Sequence, residues 1–282
     1  MGLSRAPALL AAALVALAVA AAARAGTLDS AVRYLEARQQ DDGGFAERGH
    51  PSDPGLTAWV ILGLAAAGHP PTGAAGYLAG EPYPTATDLE LRILALAALG
   101  QDVTPLADRL EALRRSSGAL GPSLNSTAWG IIALRAAGRP AGDATVAFLL
   151  AGQARGGGWS WQAGAEPDSN DTAAAVEALR AAGVPARARP IRRALVFLRS
   201  LQNRDGGFEL ELERGSDVQS TSWAIQAFLA AGRDVGAPAY AYLRRMQRAD
   251  GSFRYNARYA VTPVWVTAQA LAALVRRPFP LG

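Results

Sequence analysis

The chain has no cysteine and no lysine, and only two histidines and two methionines among its 282 residues. Without cysteine there are no disulfides, thiolate nucleophiles, iron-sulfur clusters or cysteine-ligated zinc. All 28 strongly basic residues are arginine, yet 24 acidic residues bring the net charge down to +4, and two of the positive charges, Arg5 and Arg24, sit in the leader. So small a surplus argues against a nucleic-acid partner on electrostatic grounds. Charged side chains make up only 18% of the residues and hydrophobic ones 50%, which suits a globular core and not a polar disordered polymer.

Residues 1–25 read as a secretory signal peptide: Arg5 in a short basic region, an apolar run from Ala8 to Ala23, and Ala23-Arg24-Ala25 before Gly26 as the cleavage site. The run is long for such a leader, so an uncleaved anchor helix is the alternative. Cleavage after Ala25 leaves residues 26–282 as one domain, with no second run able to span a bilayer, in a secreted or periplasmic location.

A repeat organises the rest. Helix-stop glycines occur at Gly68, Gly100, Gly138, Gly183 and Gly232, each after an alanine or leucine, and several are followed closely by proline. Eleven residues before each glycine lie Thr57, Leu89, Thr127, Thr172 and Thr221; Thr267 starts a sixth copy with Arg277-Pro278 as its stop. In that register the fourth residue on is always Ile, Val or Leu and the seventh always Leu or Phe, an apolar stripe at helical spacing. The sixth residue on is always Gly or Ala, which lets a neighbouring backbone come close. A second amphipathic segment precedes each copy, giving six helix pairs with a period drifting between 32 and 49 residues. Such pairs build either a superhelical solenoid or a closed ring.

Four connectors carry one string: Gln39 to Phe45, Gln153 to Trp159, Gln202 to Phe208 and Gln247 to Phe253, each with Gly followed by Gly or Ser before the aromatic. This resembles the QW-type repeat of the prenyltransferase and squalene-cyclase superfamily, over residues 27–278. The resemblance implies an all-α fold, an (α/α)6 toroid of six helix-pair repeats. Its relatives include protein prenyltransferases, polyene cyclases, cobalamin carriers and complement thioester domains. Zinc-dependent prenyl transfer needs an Asp, a Cys and a His, and a thioester needs a Cys. Here cysteine is missing and His50 and His69 fall in connectors, so no metal or cofactor is expected.

The segment Asp168-Ser169-Asn170-Asp171-Thr172-Ala173 is similar to the D-x-D-D-T-A acid motif of squalene-hopene and class II terpene cyclases. The position of the protonating acid is Asn170, an amide with no proton to give. A structural reading stands beside the catalytic one. Asp53, Thr85, Ser123, Asp168 and Asp217 all lie four residues before the register point and are good N-caps, and Asp171 in the first turn favours the helix dipole.

If the apolar stripe faces the outer helices, the second and fifth residues of the register face the lumen. That places Trp59, Trp129, Trp223, Gln226, Gln269 and Glu177 on the lining, with leucines and Ile132 on the first half of the ring. Either the centre is collapsed on its own tryptophans or it holds a ligand. A Trp-rich wall with few polar groups suits an apolar or amphipathic small molecule, isoprenoid-like or corrinoid-like, contacted by Trp59, Trp129, Trp223, Asp168, Asn170, Gln226 and Gln269. The alternative is a terpenoid cyclase using Asp171 or Glu177 as the acid, although Glu177 also has a salt-bridge reading with Arg180 or Arg135. A second alternative is a structural or protein-interaction toroid with a partner chain.

Overall fold

The structure is a computed structural model that describes residues 26–281, so the leader and its cleavage site lie outside the described residues. Twelve helices are present among them, and extended residues form only isolated bridges. The outer layer is α1 (26–36), α3 (Ala74–Gly80), α5 (Thr104–Ala112), α7 (Asp143–Ala151), α9 (Arg189–Ser200) and α11 (Ala237–Met246). The inner layer is α2 (Pro54–Ala66), α4 (Ala86–Ala98), α6 (Leu124–Ala136), α8 (Ser169–Ala181), α10 (Val218–Ala230) and α12 (Pro263–Leu274). Each inner helix packs on the next and α12 packs on α2, so the ring closes as an (α/α)6 toroid. No described helix is long and apolar enough to cross a membrane.

The connector repeat explains the threonine register. The amide N–H of the motif aromatic donates to the register threonine of the following inner helix: Phe45 to Thr57 Oγ1 at 2.8 Å, and Trp159 to Thr172, Phe208 to Thr221 and Phe253 to Thr267, each at 2.9 Å. A fifth connector does the same without the recognisable string. Leu120 donates to Thr127 Oγ1 at 3.2 Å, and Arg114 takes the glutamine's place, its guanidinium donating to Ala141 O at 2.7 Å. Three of the four motif glutamines tie their own turn to the start of the next outer helix, as Gln153 Nε2 does in reaching Gly157 O at 2.7 Å and Pro190 O at 2.9 Å, while Gln202 Nε2 holds only its own turn, at Gly206 O. The last of them closes the circle, Gln247 Nε2 donating to Thr27 O at 2.9 Å.

All five expected N-caps accept the N–H three residues on: Leu56, Asp88, Ser126, Asp171 and Ser220 are the donors. Small residues on the inner helices seat backbones against each other; a Cβ on Gly63 would come within 2.6 Å of Ala268 O. The five stop glycines take the expected positive φ. The sixth stop differs from the expected Arg277-Pro278. The last helix ends at Leu274, Arg276 adopts φ 61°, and its guanidinium lies 4.5 Å from the Tyr240 ring centroid. Because α12 ends early, the C-terminal residues are free to turn back under the ring.

Candidate functional site

The N-terminal ends of the inner helices share one mouth of the ring. Loops lash them together there, each reaching over the preceding inner helix: Asn125 N–H donates to Trp161 O (3.1 Å), Ser169 N–H to Leu210 O (3.0 Å) and Val218 N–H to Tyr255 O (2.8 Å). At the closing seam Glu47 substitutes its side chain, Oε1 accepting from Val264 N–H at 2.9 Å and Trp265 N–H at 3.1 Å.

The tryptophans of α2, α6 and α10 face the axis, as their register predicts, and meet there. Trp59, Trp129 and Trp223 form a closed edge-to-face triangle with centroids 5.2–5.6 Å apart. From the opposite mouth the C-terminal segment inserts Phe279, its ring 6.2 Å from both Trp59 and Trp223. The centre of the ring is therefore filled by its own aromatics. The expected hollow is displaced upward, into a cavity of about 290 Å³ at the mouth above the tryptophan triangle. A neighbouring chamber of about 580 Å³, beside Glu47 and His50, shares Trp59 and Trp265 as its wall.

Of the residues singled out from sequence, Trp59, Trp129, Trp223, Asp168, Asn170, Asp171 and Gln269 line the mouth cavity together. Glu177 and Gln226 do not; both are buried. The salt bridge considered for Glu177 does not form. Its Oε2 accepts the Phe279 N–H at 2.9 Å, while Arg180 donates to the Ala230 and Val184 carbonyls. Residues that sequence reasoning missed also line the cavity: Asn125, Gln219 and Trp265, each two residues before a register threonine in the first turns of α6, α10 and α12, and Trp161 and Leu210 on the connectors. A weak signal existed for two of them, since Trp161 and Leu210 both stand two residues after a motif aromatic.

Asp168 is the N-cap of α8, Oδ1 accepting the Asp171 N–H at 2.8 Å. Burial, and then the Asp168 carboxylate beside it, push the Asp171 carboxyl up far enough for it to keep its proton at neutral pH; Asn125, donating to Oδ1 at 2.6 Å, pulls the other way. Glu177 is raised to about 8 by complete burial, against the opposing effect of the Phe279 N–H. Glu90 on α4, which sequence reasoning missed, is raised for the same reason and has no partner on either oxygen among the described residues.

These shifts have a stability consequence. A carboxyl whose folded pKa exceeds its unfolded value of about 4.3 contributes stability that is complete below that pH and lost as pH rises to the folded pKa. For Glu177 the window runs from the usual glutamate value up to about 8, with a limiting slope of ~1.4 kcal/mol per pH unit. Thermal melts of the wild-type protein between pH 5 and 8 should fall with rising pH, and Glu177→Gln should fall less steeply. Parallel curves for the two proteins would contradict a protonated Glu177.

Residues 145–262 match the family model of the squalene-hopene cyclase C-terminal domain, and residues 9–110 match that of the prenyltransferase alpha-alpha toroid domain. A solved protein from Actinoplanes aligns with a TM-score of 0.69 at 20% identity, over 90% of this chain and 99% of its own. The type II terpene cyclase MstE from Scytonema aligns at 0.65 and 17% identity, over 90% and 98%. A glycosidase aligns at 0.61 and 14%, also over 90% and 98%. No curated protein sequence matches the chain. The class is thus the α/α toroid, and the likeness to the solved structures is one of fold. Within that class, two family models of the prenyltransferase and squalene-hopene cyclase repeats match separate parts of the chain.

Proposed function

We propose that this is an exported binding toroid that takes an amphipathic small molecule at the mouth of its ring. One observation carries the reading: five tryptophans face an arc of carboxyl and amide side chains across a mouth cavity of about 290 Å³, while the ring centre is closed. Aromatic walls supply contact area and a few polar groups fix orientation. A long polyprene or a corrinoid does not fit inside the ring; a ligand of that length would have to run out past Trp59 and Trp265 into the second chamber. The MstE cyclase was solved with geranylgeranyl dihydroxybenzoate as substrate, an amphipathic molecule, which agrees with the reading. Export through residues 1–25 is part of the proposal, and a partner chain remains compatible with it.

A terpenoid cyclase is the second reading, favoured by a proton-bearing Asp171 within a cyclase-like string and open to the cavity. Two facts weigh against it. The acid position of the string is Asn170, and a carboxyl whose pKa is raised is a weak donor to a carbon–carbon double bond.

Native mass spectrometry after exposure to a cell extract holding both lipids and oligosaccharides tests binding: a bound mass in the wild type, lost when Trp161→Ala and Gln269→Leu are combined, is the expected result. Persistently ligand-free protein would refute it. Incubation with squalene and geranylgeranyl substrates should give no product; cyclised product abolished in Asp171→Asn would establish the second reading instead.

A further inference from the structure

We propose that the mouth cavity is a saccharide site, taking an uncharged ring compound with hydroxyl groups around its edge. This rests on the reading of the mouth as a ligand site and specifies the ligand's chemistry.

The first argument is an acceptor without a donor. Gln269 lines the cavity, is only 2% exposed, and its Oε1 has no hydrogen-bond partner among the described residues. A buried amide oxygen left unpaired costs about 1–3 kcal/mol, which a ligand hydroxyl would relieve once the Gln269 amide turns its oxygen to the cavity wall. Around it lie Asn125, Asp168, Asn170, Asp171 and Gln219. A plain isoprenoid seated on this arc would cut its polar groups off from water and offer nothing in exchange, at a similar cost for each group left unpaired. Only two aliphatic side chains, Leu91 and Leu210, line the cavity.

The second argument is charge. The protein carries 28 arginines, yet none lines either chamber among the described residues, and His50 is the one imidazole. The acidic groups that line the two chambers are Asp168 and the proton-bearing Asp171 in one, Glu47 and Asp53 in the other. A diphosphate or other anionic head would meet repulsion and no counter-charge. A negatively charged ligand is therefore excluded.

The third argument is shape. Trp161 stands 54% exposed at the rim, and Trp59 and Trp265 form the wall common to both chambers. Indole faces offer broad flat contact to a ring whose C–H faces are apolar and whose hydroxyls project from its edge. A mouth cavity at the small end of ligand pockets, with a second chamber on the far side of the shared tryptophans, offers two adjoining places for successive rings of a short chain.

Isothermal titration calorimetry of the whole protein decides this, with cellotriose, chitotriose and maltotriose as neutral saccharide probes and geranylgeraniol and farnesyl diphosphate as the competing chemistries. At least one trisaccharide should bind saturably, and neither prenyl compound should displace it. Trp161→Ala, an exposed position that leaves folding intact, should weaken binding about tenfold. Gln269→Leu should weaken it by a similar factor. Binding of geranylgeraniol or farnesyl diphosphate with no trisaccharide bound overturns the saccharide assignment and leaves the mouth as a ligand site. Binding of none of the five overturns both. Trisaccharide binding unchanged in both variants places the sugar elsewhere and also overturns the proposal.

Discussion

Gly251→Ala is expected to destabilise the protein by about 3 kcal/mol, more than the same change at any stop glycine of the inner helices. Gly251 has φ +91°, where an added Cβ costs about 1–2 kcal/mol. That Cβ would also stand 2.2 Å from Ser30 O and 2.7 Å from its carbonyl carbon. These are backbone atoms of α1, so relief requires moving the helix, and overpacking of this kind adds about 1–3 kcal/mol. The site is the seam of the ring, where Gln247 also bonds Thr27 O and Ser30 Oγ. Gly138 supplies the control. It has φ +73° and nothing within 4 Å of the point where a Cβ would stand, so Gly138→Ala should cost the backbone strain alone. Chemical denaturation of both variants measures the difference, and equal losses would mean that the α1 seam does not hold the ring closed.

The contrast also shows what the sequence could and could not reveal. Periodicity determined the architecture because the repeats share local rules, each kept by five of the six: a stop glycine, an N-cap four residues before the register point, and a threonine that accepts a connector amide. The inward direction of Trp59, Trp129 and Trp223 followed from helical geometry in the same way. Whether they enclosed a hollow did not follow, since that depends on Phe279 arriving from outside the repeat. Glu177 illustrates the same limit. Nearby arginines on the ring suggested an ion pair, but its partner is a backbone amide more than 100 residues away in sequence. Trp161 was missed because the loop that carries it varies in length from repeat to repeat, and Trp265 because the register assigns the lining to the second and fifth residues after each register point, while it stands two residues before one.

Trp223→Ala is expected to cost about 3–5 kcal/mol, the usual range for removing a large buried aromatic. Trp223 is 4% exposed and touches Trp59, Trp129 and Phe279 at once, so truncation removes the common contact of the triangle and the tail. At roughly 2–4 °C per kcal/mol for a domain of this size, the melting temperature should fall by about 6–20 °C. The Trp129→Ala, Trp223→Ala double variant should lose less than the sum of the two single losses, because the second truncation finds its edge-to-face partner already gone. Trp161→Ala, at the exposed rim, should stay within about 0.5 kcal/mol of wild type. This pattern separates two roles that the tryptophans could share. A hollow ring lined with tryptophan would lose ligand affinity at Trp129 and Trp223 with little change in stability. A filled ring with its ligand at the mouth loses stability at the centre and affinity at the rim. Melting curves read beside the titrations of the same variants therefore distinguish a structural tryptophan core from a binding one, and a Trp223→Ala protein that melts with the wild type would show that the centre is not packed as the aromatic triangle requires.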